Sequence, residues 1–215
     1  MKSKKKVVMI TGGGGAGCEA ILRLFSDRYE LYFVDSEITN IDPKIPLTNK
    51  RQILLATDIN FLSSLKKLCS DLEVDLLIPG VDEELLLVAE NDDQWGNTKV
   101  MLPNPKYVKS MTDKLKMIKV LEAQGIPVPK TDSLDNDISQ FDFPCIVKPR
   151  KGRGSRGVFS IANKFELNSF RDKIGKDANT YVVQKKYFGT EYTVQMIANT
   201  KGELLCVVPV KIFLK

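Results

Sequence analysis

At 215 residues, with 43% hydrophobic and 27% charged side chains, the chain has the composition of a globular protein with a full core. Its 32 basic and 27 acidic residues leave a net charge of +5, too mild for this length to point to a nucleic-acid or membrane partner. There is no histidine, which removes Ser-His-Asp, Cys-His and His-ligated zinc chemistry and leaves carboxylates, lysines, arginines and backbone to act.

Val7-Val8-Met9-Ile10 predicts a first strand, and a helical pattern over residues 18–28 comes after it. Between them Gly12, Gly14 and Gly17 stand in G-x-G-x-x-G spacing, a strand–loop–helix context in which backbone N–H groups can approach an anion. The run Gly12 to Gly15 is looser than a dinucleotide fingerprint, so its expected role is to join strand to helix, with substrate contact at Gly14 left open. A second strand over residues 30–35 ends at Asp35, about where an acidic residue meets ribose in dinucleotide-binding folds, which keeps an NAD(P)-dependent oxidoreductase as an alternative. Residues 36–50, with Pro43 and Pro46, read as a surface loop.

A helix over 61–72, a strand over 74–79, a helix over 83–91 and a strand over 99–102 continue the alternation, which implies a parallel, doubly wound sheet. Asp82, Glu83 and Glu84 open a helix, where acids suit free N–H groups and the dipole better than a metal. Trp95 reads as a loop residue without a stacking partner, and Cys18, Cys69, Cys145 and Cys206 as isolated small core residues. With no C-x-x-C, no signal-peptide core after the basic start and no membrane span, the expectation is a reduced, cytoplasmic protein.

A single connecting helix is expected over 107–123, ended by Gly125 and Pro127, and then a polar stretch over 132–140. Strands over 145–147 and 158–161 then enclose a second G-x-G-x-x-G, Gly152, Gly154 and Gly157. Lys148, Arg150, Lys151, Arg153 and Arg156 fall within nine residues around it. A glycine loop between two strands is a flap, and one this cationic suits a phosphate. It is not a Walker A loop, and no aromatic side chain interleaves its cations as base stacking on RNA requires. A helix near 164–173, a strand over 181–184 and two strands over 191–198 and 203–213, joined by Asn199-Thr200-Lys201-Gly202, complete the pattern.

Five segments occur in an order that resembles one family. They are Thr112-Asp113-Lys114-Leu115-Lys116, Leu121 to Pro129, Phe143-Pro144-Cys145-Ile146-Val147-Lys148-Pro149, the flap, and Val183 to Val194 with Gln184, Lys185, Lys186, Tyr187 and Glu191. The chain resembles the ATP-grasp superfamily, in particular its carbamoyl-phosphate-synthase-like branch. Residues 1–105, with Leu77-Ile78-Pro79-Gly80, look like a Rossmann-like pre-ATP-grasp domain. The resemblance further implies a connecting helix over 106–130, an α+β lid subdomain over 131–188 and the first strands of a C-terminal grasp subdomain over 189–215, whose second half is missing.

The resemblance assigns roles. Lys114 and Lys148 match lysines that reach ATP phosphates. Arg150, Gly152, Arg153, Gly154, Ser155, Arg156 and Gly157 match the phosphate lid. Gln184, Lys185, Lys186 and Tyr187 match the hinge that reads adenine, although relatives often carry Glu at the Gln184 position. Glu191 matches the carboxylate that accepts from ribose hydroxyls. Lys211 lies near a position that often faces the transferred phosphate, while Ile212 stands where some relatives carry arginine. The activity implied by the resemblance is that of an ATP-dependent ligase joining a small-molecule carboxylate to an amine, using Mg2+ whose ligands are expected outside this chain, so that the chain alone is inactive. A non-catalytic or partner-completed subunit, with a second chain supplying the rest, is the alternative, and a homodimer stays open.

Overall fold

The structure is a computed structural model that describes residues 4–91, 94–138, 141–152, 154–199 and 201–213. Strands β1 (Lys6–Thr11), β2 (Tyr29–Asp35), β3 (Lys50–Gln52), β4 (Leu76–Ile78) and β5 (Lys99–Val100) form one parallel sheet in the order β3-β2-β1-β4-β5. Period-two alternation divides the apolar run of β1 between two cores. Val7 and Met9 join Phe61, Leu65 and Cys69 of helix α2 (Phe61–Asp71) and Val88 of α3 (Asp82–Ala89). Val8 and Ile10 join Leu31, Phe33, Ile41, Ile45 and Cys18 of α1 (Cys18–Phe25). The expected doubly wound unit is therefore present, helices covering both faces.

Some local expectations give way to tertiary pairing. Lys50, the last residue of the expected loop, instead opens β3, pairs with Phe33, and is buried with its ammonium on the Ile41 carbonyl at 3.1 Å. Trp95 is not a loop residue on its own: it is buried in the first core, with the Lys66 ammonium 5.5 Å from its ring centroid. Asp82, Glu83 and Glu84 do stand in the first turn of α3 as expected, but Val81 holds the cap position and Glu84 turns inward to accept from the Thr11 hydroxyl.

The connecting segment is two helices rather than one. Helix α4 (Pro105–Met111) ends where Thr112 returns its hydroxyl to the Val108 carbonyl. Asp113 is extended and accepts from the N–H groups of Leu115 and Lys116, starting α5 (Lys114–Ala123). An N-cap of this kind satisfies otherwise orphaned donors, which the break in the helix creates.

The second sheet is antiparallel, ordered β6-β9-β7-β8, from β6 (Thr131–Ser133), β7 (Cys145–Pro149), β8 (Phe159–Ile161) and β9 (Tyr181–Lys185). Edge strand β6 overlaps the start of the polar stretch over 132–140, of which residues 139–140 fall outside the described residues. Cys145, Val147, Ile161 and Val183 pack on Leu167, Phe170 and Ile174 of α6 (Lys164–Ile174). The register puts Thr131, Ile146, Lys148 and Gln184 on the opposite face. Strands β10 (Tyr192–Ala198) and β11 (Leu204–Lys211) pair as a hairpin that is exposed along its whole length, Cys206 included. Among the described residues no helix is long and apolar enough to cross a membrane.

Candidate functional site

Beside the open face of the second sheet, under the glycine flap, lies a cavity of about 560 Å³. Its walls are Ile146, Lys148 and Gln184 from the sheet, Lys114 from α5, Gly152, Gly154, Ser155 and Arg156 from the flap, and Tyr187, Gly189 and Glu191 from the segment after β9. The flap turns on left-handed backbone: φ is +101° at Gly152, +65° at Gly154, +68° at Gly157 and +56° at Ser155. A Cβ added at Gly152 or Gly154 would meet nothing within 4 Å, so these glycines serve conformation and open space rather than packing.

Helix α5 anchors the root of this flap. The Lys114 N–H donates to the Arg150 carbonyl at 2.9 Å, and its ammonium donates to the Gly152 carbonyl at 2.8 Å. Burial pushes the Lys114 ammonium below its ordinary pKa, against the opposing pull of the Asp82 and Asp113 carboxylates. A partly desolvated ammonium on a cavity wall is a strong partner for an anion.

Arg150 is directed elsewhere. Its guanidinium holds Asp113 through two bonds, Nε to Oδ1 at 3.2 Å and Nη2 to Oδ2 at 2.8 Å, and reaches the Asn179 carbonyl at 3.1 Å. Burial works to raise the Asp113 pKa, but Arg150 and the helix N–H groups outweigh it and hold the carboxyl below its ordinary value. Arg150 thus joins the flap root to α5 and does not line the cavity. Lys185 and Lys186 also leave the cavity, toward Asp142 at 3.3 Å and the Ser160 hydroxyl at 2.9 Å. Lys211 is outside it too, its ammonium 4.9 Å from the Phe213 ring centroid. Gly157 sits against Pro149 at the flap's end, and Arg153 lies outside the described residues.

On the sheet wall the Lys148 ammonium donates to Gln184 Oε1 at 2.8 Å, and Gln184 Nε2 donates to the Thr131 hydroxyl at 2.7 Å. Sequence reasoning missed Thr131, Ile146 and Asp113. The buried Cys145 was the available signal for one of them, since period two then puts Ile146 and Lys148 on the other face.

The first glycine loop spends its N–H groups within the protein. Gly13 N–H donates to the Val34 carbonyl, Gly15 N–H to the Gly12 carbonyl and Gly14 N–H to Asp35 Oδ2, at 2.9, 2.8 and 3.0 Å. Asp35 also accepts from the Glu37 N–H at 3.2 Å, so its carboxylate ties the loop to the end of β2. Burial pushes the thiols of Cys69 and Cys145 up to about 12 and about 11 and raises that of Cys18, a setting for inert core cysteines. Among the described residues no group of three or more His, Cys, Asp or Glu can hold a metal.

Residues 111–214 match the model of the ATP-grasp domain. The chain is 26% identical over 182 residues to an uncharacterized protein of Methanocaldococcus jannaschii, covering 80% of this chain and 45% of that one. It is also 26% identical over 202 residues to D-alanine–D-alanine ligase A of Bacillus cereus, covering 91% and 58%. In fold it resembles carboxyaminoimidazole ribonucleotide synthase from Aspergillus clavatus, solved with ATP, with TM-score 0.74 at 15% identity over 98% of this chain and 55% of that one. The match places residues 111–214 in the ATP-grasp superfamily. It spans about half the length of the curated relatives it matches.

Proposed function

We propose that the flap cavity binds ATP and that this chain is the nucleotide-binding portion of a carboxylate–amine ligase. The observation that carries the reading is the convergence of Lys114, Lys148, Arg156, the flap residues Gly152, Gly154 and Ser155, Gln184, Tyr187 and Glu191 on one cavity. Polyphosphate wants cations and N–H donors, which the flap side supplies; a ribose diol wants an acceptor pair, which Glu191 supplies. Gln184, Tyr187 and the backbone at Lys185 then face the adenine.

In such a ligase the γ-phosphoryl group passes to a carboxylate oxygen, releasing ADP, and an amine attacks the acyl phosphate carbon, releasing phosphate. Lys114, Lys148 and Arg156 would hold the phosphates in place and offset their charge, which is most of what a protein contributes to phosphoryl transfer. Mg2+ takes oxygen ligands, and Glu191 is the one carboxylate among the described residues of the cavity wall, so these residues do not by themselves fit the ion, and no step runs through it. The carbamoyl-phosphate-synthase-like affiliation rests on the order of the sequence segments. Apolar side chains exposed along β10–β11 support a further polypeptide as a partner covering that hairpin.

For these 215 residues the proposal is nucleotide binding, tested by thermal shift with ATP against NAD(P), comparing wild type with Lys148→Ala and Gly14→Ala. ATP should stabilise wild type and Gly14→Ala and lose most of its effect on Lys148→Ala. Stabilisation by NAD(P) that disappears only in Gly14→Ala would overturn the reading in favour of the oxidoreductase. Turnover of ATP by the chain alone would extend it from binding to catalysis.

A further inference from the structure

We infer that Thr131, a residue outside the cavity wall, is a positioning residue that holds Lys148 toward the phosphates through Gln184. The inference rests on the reading of the cavity as a nucleotide site. Its basis is a chain of hydrogen bonds with one consistent direction across three strands. Lys148 Nζ donates to Gln184 Oε1 at 2.8 Å, Gln184 Nε2 donates to Thr131 Oγ1 at 2.7 Å, and Thr131 Oγ1 donates to the Pro129 carbonyl at 2.7 Å.

The direction is set by the chemistry of the ends. Ammonium only donates and a backbone carbonyl only accepts, so the amide of Gln184 has one orientation, oxygen toward Lys148 and nitrogen toward Thr131. The register makes the line geometrically natural. Thr131 pairs directly with Gln184 across β6–β9, Ile146 pairs with Gln184 across β7–β9, and Lys148 lies two residues beyond on the same face. Gln184 is itself only 9% exposed, so an unpaired amide there is costly and the orientation is held. Without the Thr131 hydroxyl the amide nitrogen loses its acceptor, and a flipped amide would point N–H at the ammonium of Lys148. A glutamate in this place would add a negative charge beside Lys148. The neutral amide orients the ammonium without placing a negative charge beside it.

The test is isothermal titration of ATP and adenosine with wild type, Thr131→Val, Thr131→Ser, Lys148→Met and Lys148→Met/Thr131→Val. Thr131→Val should reduce the preference for ATP over adenosine by about fivefold, the size expected of one lost hydrogen bond in the chain. Thr131→Ser, which keeps the oxygen, should restore it, and Thr131→Val should change nothing further in the Lys148→Met background. The ratio of two ligands is insensitive to a loss of folded protein, which a stability defect would affect equally. Equal weakening of both ligands by Thr131→Val, no weakening of either, or an undiminished effect in Lys148→Met overturns the positioning role. Failure of wild type to bind ATP overturns the nucleotide reading first, and the inference with it.

Discussion

Two loops with the same glycine spacing do opposite work in this molecule. At Gly12, Gly14 and Gly17 the loop is closed: an added Cβ at Gly14 would come within 2.9 Å of Asn40 Cβ, one at Gly13 within 3.0 Å of the Val34 nitrogen, and the N–H groups are spent on β2 and on Asp35. At Gly152, Gly154 and Gly157 the loop is held at its root by α5 and Arg150, with left-handed backbone and open space around Gly152 and Gly154. Glycine is needed sterically at Gly13 and Gly14 of the first loop and conformationally at Gly152 and Gly154 of the second. A spacing motif therefore reports that backbone must do something side chains forbid, and the surroundings decide whether that is packing or binding.

The largest effect should come from the root of the open loop. The Asp113 side chain is 6% exposed, so Arg150→Met strands a buried carboxylate and should cost about 3 kcal/mol in urea unfolding at pH 7. The pH dependence checks the cause. In wild type the folded-state pKa of Asp113 lies below its ordinary value, so its contribution is present above the unfolded pKa of about 4 and is lost as pH falls through the folded value. The penalty of Arg150→Met should therefore shrink in acid, where Asp113 is protonated in both proteins; a penalty independent of pH would show that the guanidinium acts through packing.

Next in size is the steric contrast itself. Gly14→Ala should destabilise by about 2 kcal/mol, as overpacking does. Gly154→Asn, at a left-handed position that Asn tolerates, should cost less than about 0.5 kcal/mol. Thermal unfolding of the two variants side by side breaks the comparison if their order reverses. The smallest effect is chemical: a thiol reagent on native protein at pH 8 should modify Cys206 alone, with Cys18, Cys69 and Cys145 reacting after denaturation.

Much of the fold could be read along the chain because its signals are local. Val7 to Ile10 with the glycines and the helix after them, or Cys145 to Val147 with the flap, announce their structure within about ten residues. Strand β3 could not be read, since Lys50-Arg51-Gln52 is polar and extended only because Phe33, Val34 and Asp35 pair with it. Likewise the helix break at Thr112-Asp113 hides inside a good helical pattern, and is stabilised by Arg150, thirty-seven residues on. Cys206 departs from the expected core because β11 has an exposed face on both sides.

The candidate site divides in the same way. The density of cations around Gly152 to Gly157 is a property of sequence, as is the order of the segments that resemble ATP-grasp proteins. Which cations face the cavity is not. Lys114, Lys148 and Arg156 line it, while Arg150, Lys185 and Lys186 turn to Asp113, Asp142 and Ser160. Composition and period determine what a segment is, because they act over one turn or one pleat. Register and strand order decide which side chains meet, because that depends on partners distant in sequence, and Thr131 beside Gln184 exists only at that level.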